Sequence, residues 1–382
     1  MRRLFTLLSL CLLVAVPLPA AARSLPPPPP VDGFPVSPPP EVGAQTWILY
    51  DDTYGMVLGS RSPDERRALA STTKIMTALL AIEHGGLDEL VTVSSRAASV
   101  GEASIGLVAG ERVPLRALVA ALLVRSGNDA AVAVAEAVAG SLEGFVALMN
   151  ERAAELGLDN TSFANPHGLD APGHYSSAAD LLALTRVAME HPEFARYVGS
   201  RKIAIRDAPT GVRRVATSTN RLLESYEGAI GVKTGFTSRA ALVMVAAAER
   251  DGRRLYAVVM GSGGRGGHFD DAAALLDYGF DAFGVVPVIA AGEPYATLRT
   301  SVVAERLEAV ASVEVLVHLA GVGLLDPPSL AVDSDRAVLT ATGPADEQVV
   351  VELGRPQGAA LPGLAEAVDW PRRYWRLLTG DG

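Results

Sequence analysis

The sequence has very little lysine and almost no cysteine. Its one cysteine is Cys11, and of its 33 basic residues only Lys74, Lys202 and Lys233 are lysines. Because Cys11 lies in an N-terminal segment that is expected to be removed, disulfides, thiol nucleophiles and cysteine-bound metals are excluded. Arginine supplies the other positive charges and keeps its proton, whereas a desolvated lysine can lose one. A lysine retained beside a serine therefore suggests a base.

The charge balance and the composition exclude further classes of protein. The formal net charge is −10 and no basic stripe is visible, so nucleic acid is not expected as a partner. With 49% hydrophobic and 20% charged residues the chain is ordinary for a globular protein, and 382 residues allow one to three domains. The abundance of arginine, alanine and glycine also fits a coding bias, which alone could explain part of the lysine scarcity.

The first 22 residues have the pattern of a secretory signal peptide. Two arginines, a short apolar run over residues 4–16 and an Ala-Ala-Ala cleavage site follow one another. The run is too short for a comfortable transmembrane helix, and an uncleaved anchor is the alternative. Residues 23–43 are rich in proline and are predicted to be an extended linker outside the fold.

The apolar spacing that follows predicts a mixed fold, α/β in the broad sense and α+β in its arrangement. Residues 71 to about 190 are mostly helical in pattern, and strand pairs lie on both sides of this block. This order predicts one antiparallel sheet, flanked by helices and a helical subdomain, in a domain over residues 44–285. The predicted strands are 45–51, 55–60, 228–233, 241–249 and 253–260, and a helix is predicted over 272–283.

Residues 286–382 are predicted to be a small β-rich second domain. The boundary falls near Pro287, and the strand-like runs beyond it are separated by glycine, proline and aspartate. These runs are 312–319, 337–341 and 348–353.

The end of the chain has the composition of an amphipathic helix. Trp370, Tyr374, Leu377 and Leu378 could share one helical face, with arginines nearby. Such a tail either contacts a membrane surface or packs against the second domain, and the sequence leaves both open.

The first candidate catalytic pair is Ser71 and Lys74. Ser71 begins a run with helical pattern, so a spacing of three places both side chains on one face. A serine hydroxyl is a poor nucleophile until a base removes its proton, and a lysine held away from water among cations can be neutral enough to do so. A solvated surface lysine is the alternative, because S-x-x-K alone is a weak signal.

Two further motifs carry groups that fit the same chemistry. Ser126 and Asn128, in a loop between two helical segments, could relay a proton and hold a substrate amide, with a helix cap as the alternative. Lys233, Thr234 and Gly235 stand at the end of a predicted strand. There the lysine and threonine could bind a carboxylate, and the glycine would let a substrate backbone approach closely.

The three motifs together resemble the S-x-x-K, S-D-N and K-T-G signature of penicillin-binding proteins and class A β-lactamases, with Gly127 in place of the middle aspartate. The closer resemblance is to the low-molecular-mass serine D-alanyl-D-alanine carboxypeptidases, in which S-G-N is usual. It covers roughly residues 44 to 283. The stretches that carry it are 70–77, 161–169, 175–181 and 231–237.

This resemblance implies a β-lactamase/transpeptidase-like fold and a serine peptidase mechanism. Ser71 would attack the carbonyl between the two terminal D-alanines of a peptidoglycan stem peptide, and Lys74 would be the general base. The backbone N–H groups of Ser71 and Phe236 would form the oxyanion hole. β-Lactams would acylate Ser71 as substrate mimics.

The resemblance also implies roles for the other motif residues. Ser126 would pass a proton to the leaving D-alanine, and Asn128 would hold the substrate amide. Lys233 and Thr234 would bind the free carboxylate beside Gly235. Neither a metal nor another cofactor is implied. The exported protein would act in the cell envelope, at the outer side of the cytoplasmic membrane or in the periplasm.

Three other functions stay open. A class A-like β-lactamase would need a deacylating glutamate in an E-x-x-L-N context, and the nearest stretch, 155–159, has Asp159 at its last position and is predicted to end a helix. A D,D-endopeptidase would use the same residues on crosslinks. A non-catalytic wall-binding module would keep the fold without the reaction.

Two local features are not explained by the motifs. Ala241 stands where glycine is common in the family after the K-T-G loop, so the geometry of that loop is open. His167 and His174 do not have the spacing of a usual metal site, and a structural or hydrogen-bonding role is predicted for them.

Overall fold

The computed structural model describes residues 38–84, 86–206, 211, 213–264 and 266–289, together with seven strands between residues 294 and 367. The predicted signal peptide, most of the predicted linker and the amphipathic tail lie outside the described residues. Among the described helices no single one is long and apolar enough to cross a membrane. Only taken together do two helices that meet at a bend of 84°, Asn128–Ala139 and Leu142–Glu155, have the length and apolar composition of a membrane span.

The described elements alternate between short strands and helices before they become purely β. The strands are β1 (Thr46–Asp51), β2 (Met56–Arg61), β3 (Leu90–Thr92), β4 (Arg112–Pro114), β5 (Lys202–Arg206), β6 (Arg213–Thr217), β7 (Ala229–Thr237), β8 (Ala241–Arg250), β9 (Arg253–Ser262), β10 (Phe283–Ile289), β11 (Pro294–Arg299), β12 (Ala304–Ala309), β13 (Val313–His318), β14 (Ser329–Val332), β15 (Ala337–Thr342), β16 (Gln348–Gly354) and β17 (Ala365–Ala367). The α-helices are α1 (Lys74–His84), α2 (Ser95–Ser99), α3 (Leu115–Val124), α4 (Asn128–Ala139), α5 (Leu142–Glu155), α6 (Ala178–Met189), α7 (Pro192–Val198), α8 (Leu222–Ser225) and α9 (Gly267–Ala282).

The centre of the fold is a five-stranded antiparallel sheet with the strand order β2-β1-β9-β8-β7. The N-terminal hairpin β1–β2 joins the later hairpin β8–β9 through β1 and β9, where Ile48 lies opposite Val258. The predicted sheet, built from strand pairs on both sides of a helical block, is therefore confirmed. Strand β7 forms one edge of this sheet, beside β8.

Both faces of the sheet are covered, which explains why its inner strands are apolar almost throughout. On β8, Val243 and Val245 belong to the core shared with the helical block. Met244 and Ala246 belong to a second core, which also contains Leu275 of α9. Because successive side chains of a strand point to opposite faces, a strand buried on both faces has few positions left for polar residues.

Helix α1 lies at the centre of the helical block. Its consecutive residues Ile75, Met76, Thr77 and Ala78 are all 0% exposed, and with about 3.6 residues per turn four consecutive residues point to all sides of a helix. A helix that is buried on all sides is enclosed by its neighbours, which here are α3, α4, α5, α6 and α7. Since Lys74 is the first residue of this enclosed helix, the same packing takes the lysine out of water.

Two predicted boundaries are wrong. Strand β7 continues to Thr237, opposite Ala241, so the K-T-G motif lies inside a strand and not at its end. Helix α9 begins at Gly267, earlier than predicted, directly after Gly266 in the left-handed conformation (φ 88°). Glycine is unfavourable inside strands and helices, so the glycines in these two segments led to shorter predicted elements. In β7, however, a glycine permits a close approach, and before α9 a glycine permits a positive φ.

The C-terminal part is β-rich, as predicted. Strands β13, β15 and β16 match the three predicted runs, and the order β14-β15-β16-β12-β11-β17 forms a six-stranded sheet. Strand β10 pairs with β13, and its range includes the predicted domain boundary at residue 285. The division of the chain at this residue stays a prediction.

The turn from β7 into β8 contains an alanine in a strained conformation. Ala241 has φ +56°, in the left-handed region, where a Cβ costs about 1–2 kcal/mol. Glycine adopts this conformation without that cost, which is a physical reason for glycine to be common there. The turn is therefore formed here at the cost of backbone strain at Ala241.

We expect Ala241→Gly to raise the free energy of unfolding by roughly 0.5 kcal/mol, because the relief of left-handed strain exceeds the entropy that glycine adds to the unfolded chain. Its neighbour Ala240 is a matched control, since it is 2% exposed and is not among the residues with positive φ. Ala240→Gly should lower the free energy of unfolding by about 1 kcal/mol. Urea denaturation of the three proteins measures both changes, and the same sign at both positions would refute the assignment of strain to Ala241.

Candidate active site

The serine and lysine of the first motif meet through a tight turn. Residues Ala70–Thr73 form a 3-10 helix, and α1 continues from Lys74. With three residues per turn, side chains at i and i+3 are eclipsed, and Lys74 Nζ lies 3.0 Å from Ser71 Oγ. The predicted helical start is therefore a 3-10 turn, and this turn brings the two side chains into hydrogen-bonding distance.

Within the described part of the chain, the other hydrogen-bond partners of the Lys74 amine are two oxygens that accept hydrogen bonds and cannot donate them. Lys74 Nζ donates to Asn128 Oδ1 at 2.7 Å and to the carbonyl oxygen of His167 at 2.5 Å. A neutral amine has two N–H groups and one lone pair. When the two N–H groups point to these oxygens, the lone pair is left for the hydroxyl hydrogen of Ser71. The geometry thus suits removal of a proton from Ser71.

The surroundings of Lys74 also favour its neutral form. The side chain is fully buried. Burial, and after it the positive charge of Lys233, lower the pKa of Lys74 well below its ordinary value of 10.5, while Asp129 and Glu102 act in the opposite direction. A lysine in this place releases its proton far more readily than one in water.

The second lysine is held beside the middle motif. Lys233 Nζ donates to Ser126 Oγ at 3.0 Å and to the carbonyl oxygen of Thr234 at 2.8 Å. Burial lowers the pKa of Lys233 to about 7. Ser126 has φ +66°, an unusual conformation for a residue with a side chain. Such strain persists only where the surroundings fix it, and it is frequent at functional sites.

The edge strand β7 lies directly against the 3-10 turn Ala70–Thr73, called here the serine turn. A Cβ at Gly235 would be 2.8 Å from the Ser71 nitrogen and 3.0 Å from the Ala70 Cβ. The glycine is therefore required by the serine's own backbone, in addition to any substrate. The next residue, Phe236, has a side chain that is 65% exposed.

The motif residues form a closed ring of contacts and chain neighbours. The sequence of this ring is Ser71, Lys74, Asn128, Gly127, Ser126, Lys233, Thr234, Gly235 and Ser71 again. The structure thus brings together the groups that the three motifs supply.

His174 links the serine turn to the loop that supplies the His167 carbonyl. Its Nδ1 accepts a hydrogen bond from the Ala164 N–H at 3.0 Å, and its Nε2 lies 2.9 Å from Thr73 Oγ1. Because Thr73 Oγ1 donates its own hydrogen to the Ala70 carbonyl, Nε2 is the donor and the ring is neutral. Burial lowers the pKa of His174 to about 4, so this link persists at neutral pH. The hydrogen-bonding role predicted for this histidine is confirmed.

Two contributors to the site carry no clear signal in the sequence. The His167 contribution is a backbone carbonyl, which any residue has. Thr219 Oγ1 lies 2.8 Å from Thr234 Oγ1, and the Thr219 N–H donates to the carbonyl of Val124 at 3.1 Å. In the sequence Thr219 is part of a short polar run, which ordinary turns also contain.

Glu155 does not take the place of a deacylating base. It is the last residue of α5, before Gly157 with φ +67°, so the predicted helix end is confirmed. Its side chain is 56% exposed and pairs with Arg152 at 2.9 Å. This is a surface ion pair. Within the described ranges no group of three or more His, Cys, Asp or Glu residues could hold a metal ion.

The chain is similar to known proteins whose names agree with a serine and a lysine placed in this way. The family model described as D-alanyl-D-alanine carboxypeptidase matches residues 33–264. The D-alanyl-D-alanine carboxypeptidase DacF of Bacillus subtilis is 36% identical over 261 residues, which are 67% of this chain and 67% of the relative. DacD of Escherichia coli is 37% identical over 284 residues, 70% of this chain and 71% of the relative.

Solved structures extend the likeness. The DD-transpeptidase of a Streptomyces strain is 31% identical with a TM-score of 0.60, and the match covers 64% of this chain and 99% of that one. The D-alanyl-D-alanine carboxypeptidase DacD of Francisella tularensis is 25% identical with a TM-score of 0.66. That match covers 84% of this chain and 95% of the other, so it reaches into the C-terminal β-rich part.

Gly168 allows the loop with His167 to lie on the serine turn. It has φ +92°, and a Cβ at this position would overlap the carbonyl group of Ala70 and lie 2.9 Å from the Ser71 nitrogen. Both the conformation and the lack of space require glycine.

We expect Gly168→Ala to lower the free energy of unfolding by roughly 3 kcal/mol or more, because left-handed strain and overlap with backbone add. Gly173 is the matched control, with φ +75° in the same segment and nothing within 4 Å of its Cβ position. Gly173→Ala should cost only the strain, about 1–2 kcal/mol. Chemical denaturation measures both, and equal losses would contradict the close approach at Gly168.

Proposed function

The chain belongs to the D-alanyl-D-alanine carboxypeptidase family of serine peptidases, and on this premise we propose that it removes the terminal D-alanine from peptidoglycan stem peptides with Ser71 as the nucleophile. The observation that carries this assignment is the buried Lys74 amine, held by two carbonyl oxygens with its lone pair left for Ser71. β-Lactams acylate the same serine, because the family binds them.

The first step forms an ester and breaks a peptide bond. Lys74 accepts the hydroxyl proton of Ser71 while Oγ attacks the carbonyl carbon of the penultimate D-alanine. The carbonyl oxygen becomes an oxyanion, which the backbone N–H groups of Ser71 and Phe236 stabilise. A Cβ at Gly235 would lie only 2.8 Å from the Ser71 nitrogen. This close approach supports the role, because it brings the strand with Phe236 beside Ser71.

The leaving D-alanine needs one proton and one countercharge. Ser126, which accepts a hydrogen bond from Lys233, gives its proton to the departing amine. It then takes up the proton that Lys74 accepted from Ser71. Lys233 and Thr234 bind the free carboxylate of the terminal residue, with Thr219 fixing the Thr234 hydroxyl. Asn128 orients Lys74 and holds the substrate amide. Water then hydrolyses the acyl-enzyme, with the neutral Lys74 amine as the base.

The proposed location follows from the substrate. Members of the family act on peptidoglycan in the cell envelope. We propose that residues 1–22 export the chain, which then acts at the outer side of the cytoplasmic membrane or in the periplasm, and that residues 44–285 form the peptidase domain. Contact of the C-terminal tail with a membrane surface stays a prediction from the sequence.

Mass spectrometry of the intact protein after two reagents tests the function. Penicillin should add one acyl group on Ser71, and Ser71→Ala should carry none. A D-Ala-D-Ala pentapeptide should yield a tetrapeptide and free D-alanine. A wild-type protein without the penicillin adduct would be a wall-binding module, rapid turnover of penicillin would indicate a β-lactamase, and cleavage of crosslinked muropeptides without pentapeptide cleavage would indicate an endopeptidase.

The three lysines provide a second test, since each can be exchanged for arginine. Lys74→Arg should lower acylation by about 1,000-fold or more, because arginine keeps its proton and cannot be the base. Lys233→Arg should lose less, because a cation remains for the carboxylate. Lys202→Arg is the control, since Lys202 is exposed on β5. An active Lys74→Arg protein would refute the base assignment.

The pH dependence separates the two buried lysines further. Lys74 must be neutral, so kcat/KM rises with pH through its depressed pKa. Lys233 must be charged to bind a carboxylate, so kcat/KM falls as pH rises through about 7. In the Lys233→Arg protein this alkaline limb should leave the neutral range, because arginine does not titrate there. A limb that stays near the same pH in this variant would show that another group causes it.

A further inference from the structure

Asp129, the residue after the middle motif, has a buried carboxylate with several partners. It is 1% exposed and accepts hydrogen bonds from the Ser104 hydroxyl at 2.6 Å, from the N–H groups of Ile105 and Leu107 at 3.1 Å each, and from its own neighbour Ala130 at 2.9 Å. Three of these donors belong to the loop between α2 and β4, residues 100–111. The carboxylate therefore fixes loop 100–111 to the start of α4.

Loop 100–111 in turn fixes Asn128. The Asn128 N–H donates to the carbonyl of Ala103 at 2.6 Å, and Asn128 Nδ2 donates to the carbonyl of Gly101 at 3.2 Å. With Nδ2 turned to Gly101, the amide oxygen of Asn128 faces Lys74 Nζ at 2.7 Å. The path from Asp129 to the base thus runs through the loop and the Asn128 amide.

Gly127 is small because the Asp129 carboxylate needs the space. Gly127 has φ −59°, which any residue can adopt, so its backbone does not require glycine. A Cβ at this position would lie 2.8 Å from Asp129 Oδ1 and 3.3 Å from Ile105 Cγ2. In the related S-D-N signature an aspartate occupies this middle position, and its side chain would begin where the Asp129 carboxylate now lies.

We propose that Asp129 is a positioning residue for the reaction and supplies, from two residues further along, the carboxylate that the middle aspartate of S-D-N would bring to the same place. It holds loop 100–111, and through Gly101 it keeps the Asn128 oxygen on Lys74. This inference rests on the proposed function, because its effect is on the base that activates Ser71.

The test moves the carboxylate from position 129 to position 127, the middle position of the motif. Asp129→Ala should lower the rate of acylation by penicillin by about 10- to 100-fold, because it leaves three loop donors without a partner and frees Asn128. Gly127→Asp alone should also lower the rate strongly, because its Cβ meets the Asp129 carboxylate. The double exchange Gly127→Asp with Asp129→Ala should acylate at least about tenfold faster than either single variant, as expected for coupled neighbours.

A milder variant and a control complete the experiment. Asp129→Asn keeps one acceptor oxygen and should lie between wild type and Asp129→Ala. Asp271 also has a buried carboxylate near the start of a helix, where it accepts the Gly43 N–H at 2.8 Å, but it lies by the second core. Asp271→Ala should lower the temperature of thermal unfolding and leave the acylation rate of the folded protein unchanged.

The possible outcomes separate this proposal from the proposed function. If the wild-type protein is not acylated, the proposed function fails first. If the wild type is acylated and Asp129→Ala destabilises the protein without slowing acylation, Asp129 is only structural and the proposal is overturned. A double variant no faster than the faster of the two single variants would overturn the shared position of the two carboxylates.

Discussion

The site depends on keeping one lysine out of water without giving it a countercharge. Among the residues that the structure describes, the polar partners of Lys74 are a hydroxyl, an amide oxygen and a backbone carbonyl, and none of them is a carboxylate. An ammonium in such a place loses its hydration and gains no ion pair, so the neutral amine is favoured. This requires helix α1 to be enclosed on all sides, and it requires two separate loops to bring oxygens to its first residue. Much of the helical block is therefore arranged around this amine.

The backbone around the serine is strained where the loops meet. Ala70 has φ +47° and Ser126 has φ +66°, and Gly168, with φ +92°, packs on the Ala70 carbonyl. The same carbonyl accepts the Thr73 hydroxyl, whose oxygen accepts the His174 N–H. Each unusual conformation is thus held by a contact from another part of the chain, which is the condition under which strain persists. Rigid placement of Ser71 is what these contacts provide.

The sequence predicts the fold well where the local apolar pattern decides the structure, and the site where side chains carry the chemistry. The continuous apolar runs of β8 and β9 and the apolar spacing of α3 and α4 are examples of such local patterns. The extent of β7 could not be predicted from the sequence. Gly235 is needed inside this strand because a Cβ there would collide with the backbone at Ser71, which is far away in the chain. The hairpin of β5 and β6 was missed, since its short strands are largely exposed and charged. The His167 carbonyl and the Thr73–His174 link depend wholly on tertiary contacts.

Lysine scarcity now has a physical meaning at two of three positions. Lys74 and Lys233 are both buried, and the charge of Lys233 is one of the causes that lower the pKa of Lys74. Two cations this close release their protons one after the other, so the pair divides its work: Lys233 keeps the charge and Lys74 keeps the lone pair. A substrate carboxylate bound to Lys233 would cancel part of that charge and raise the pKa of Lys74. The base therefore becomes stronger when the substrate whose reaction needs it has bound. An arginine at position 74 would remove this coupling, because it keeps its proton and cannot be the base.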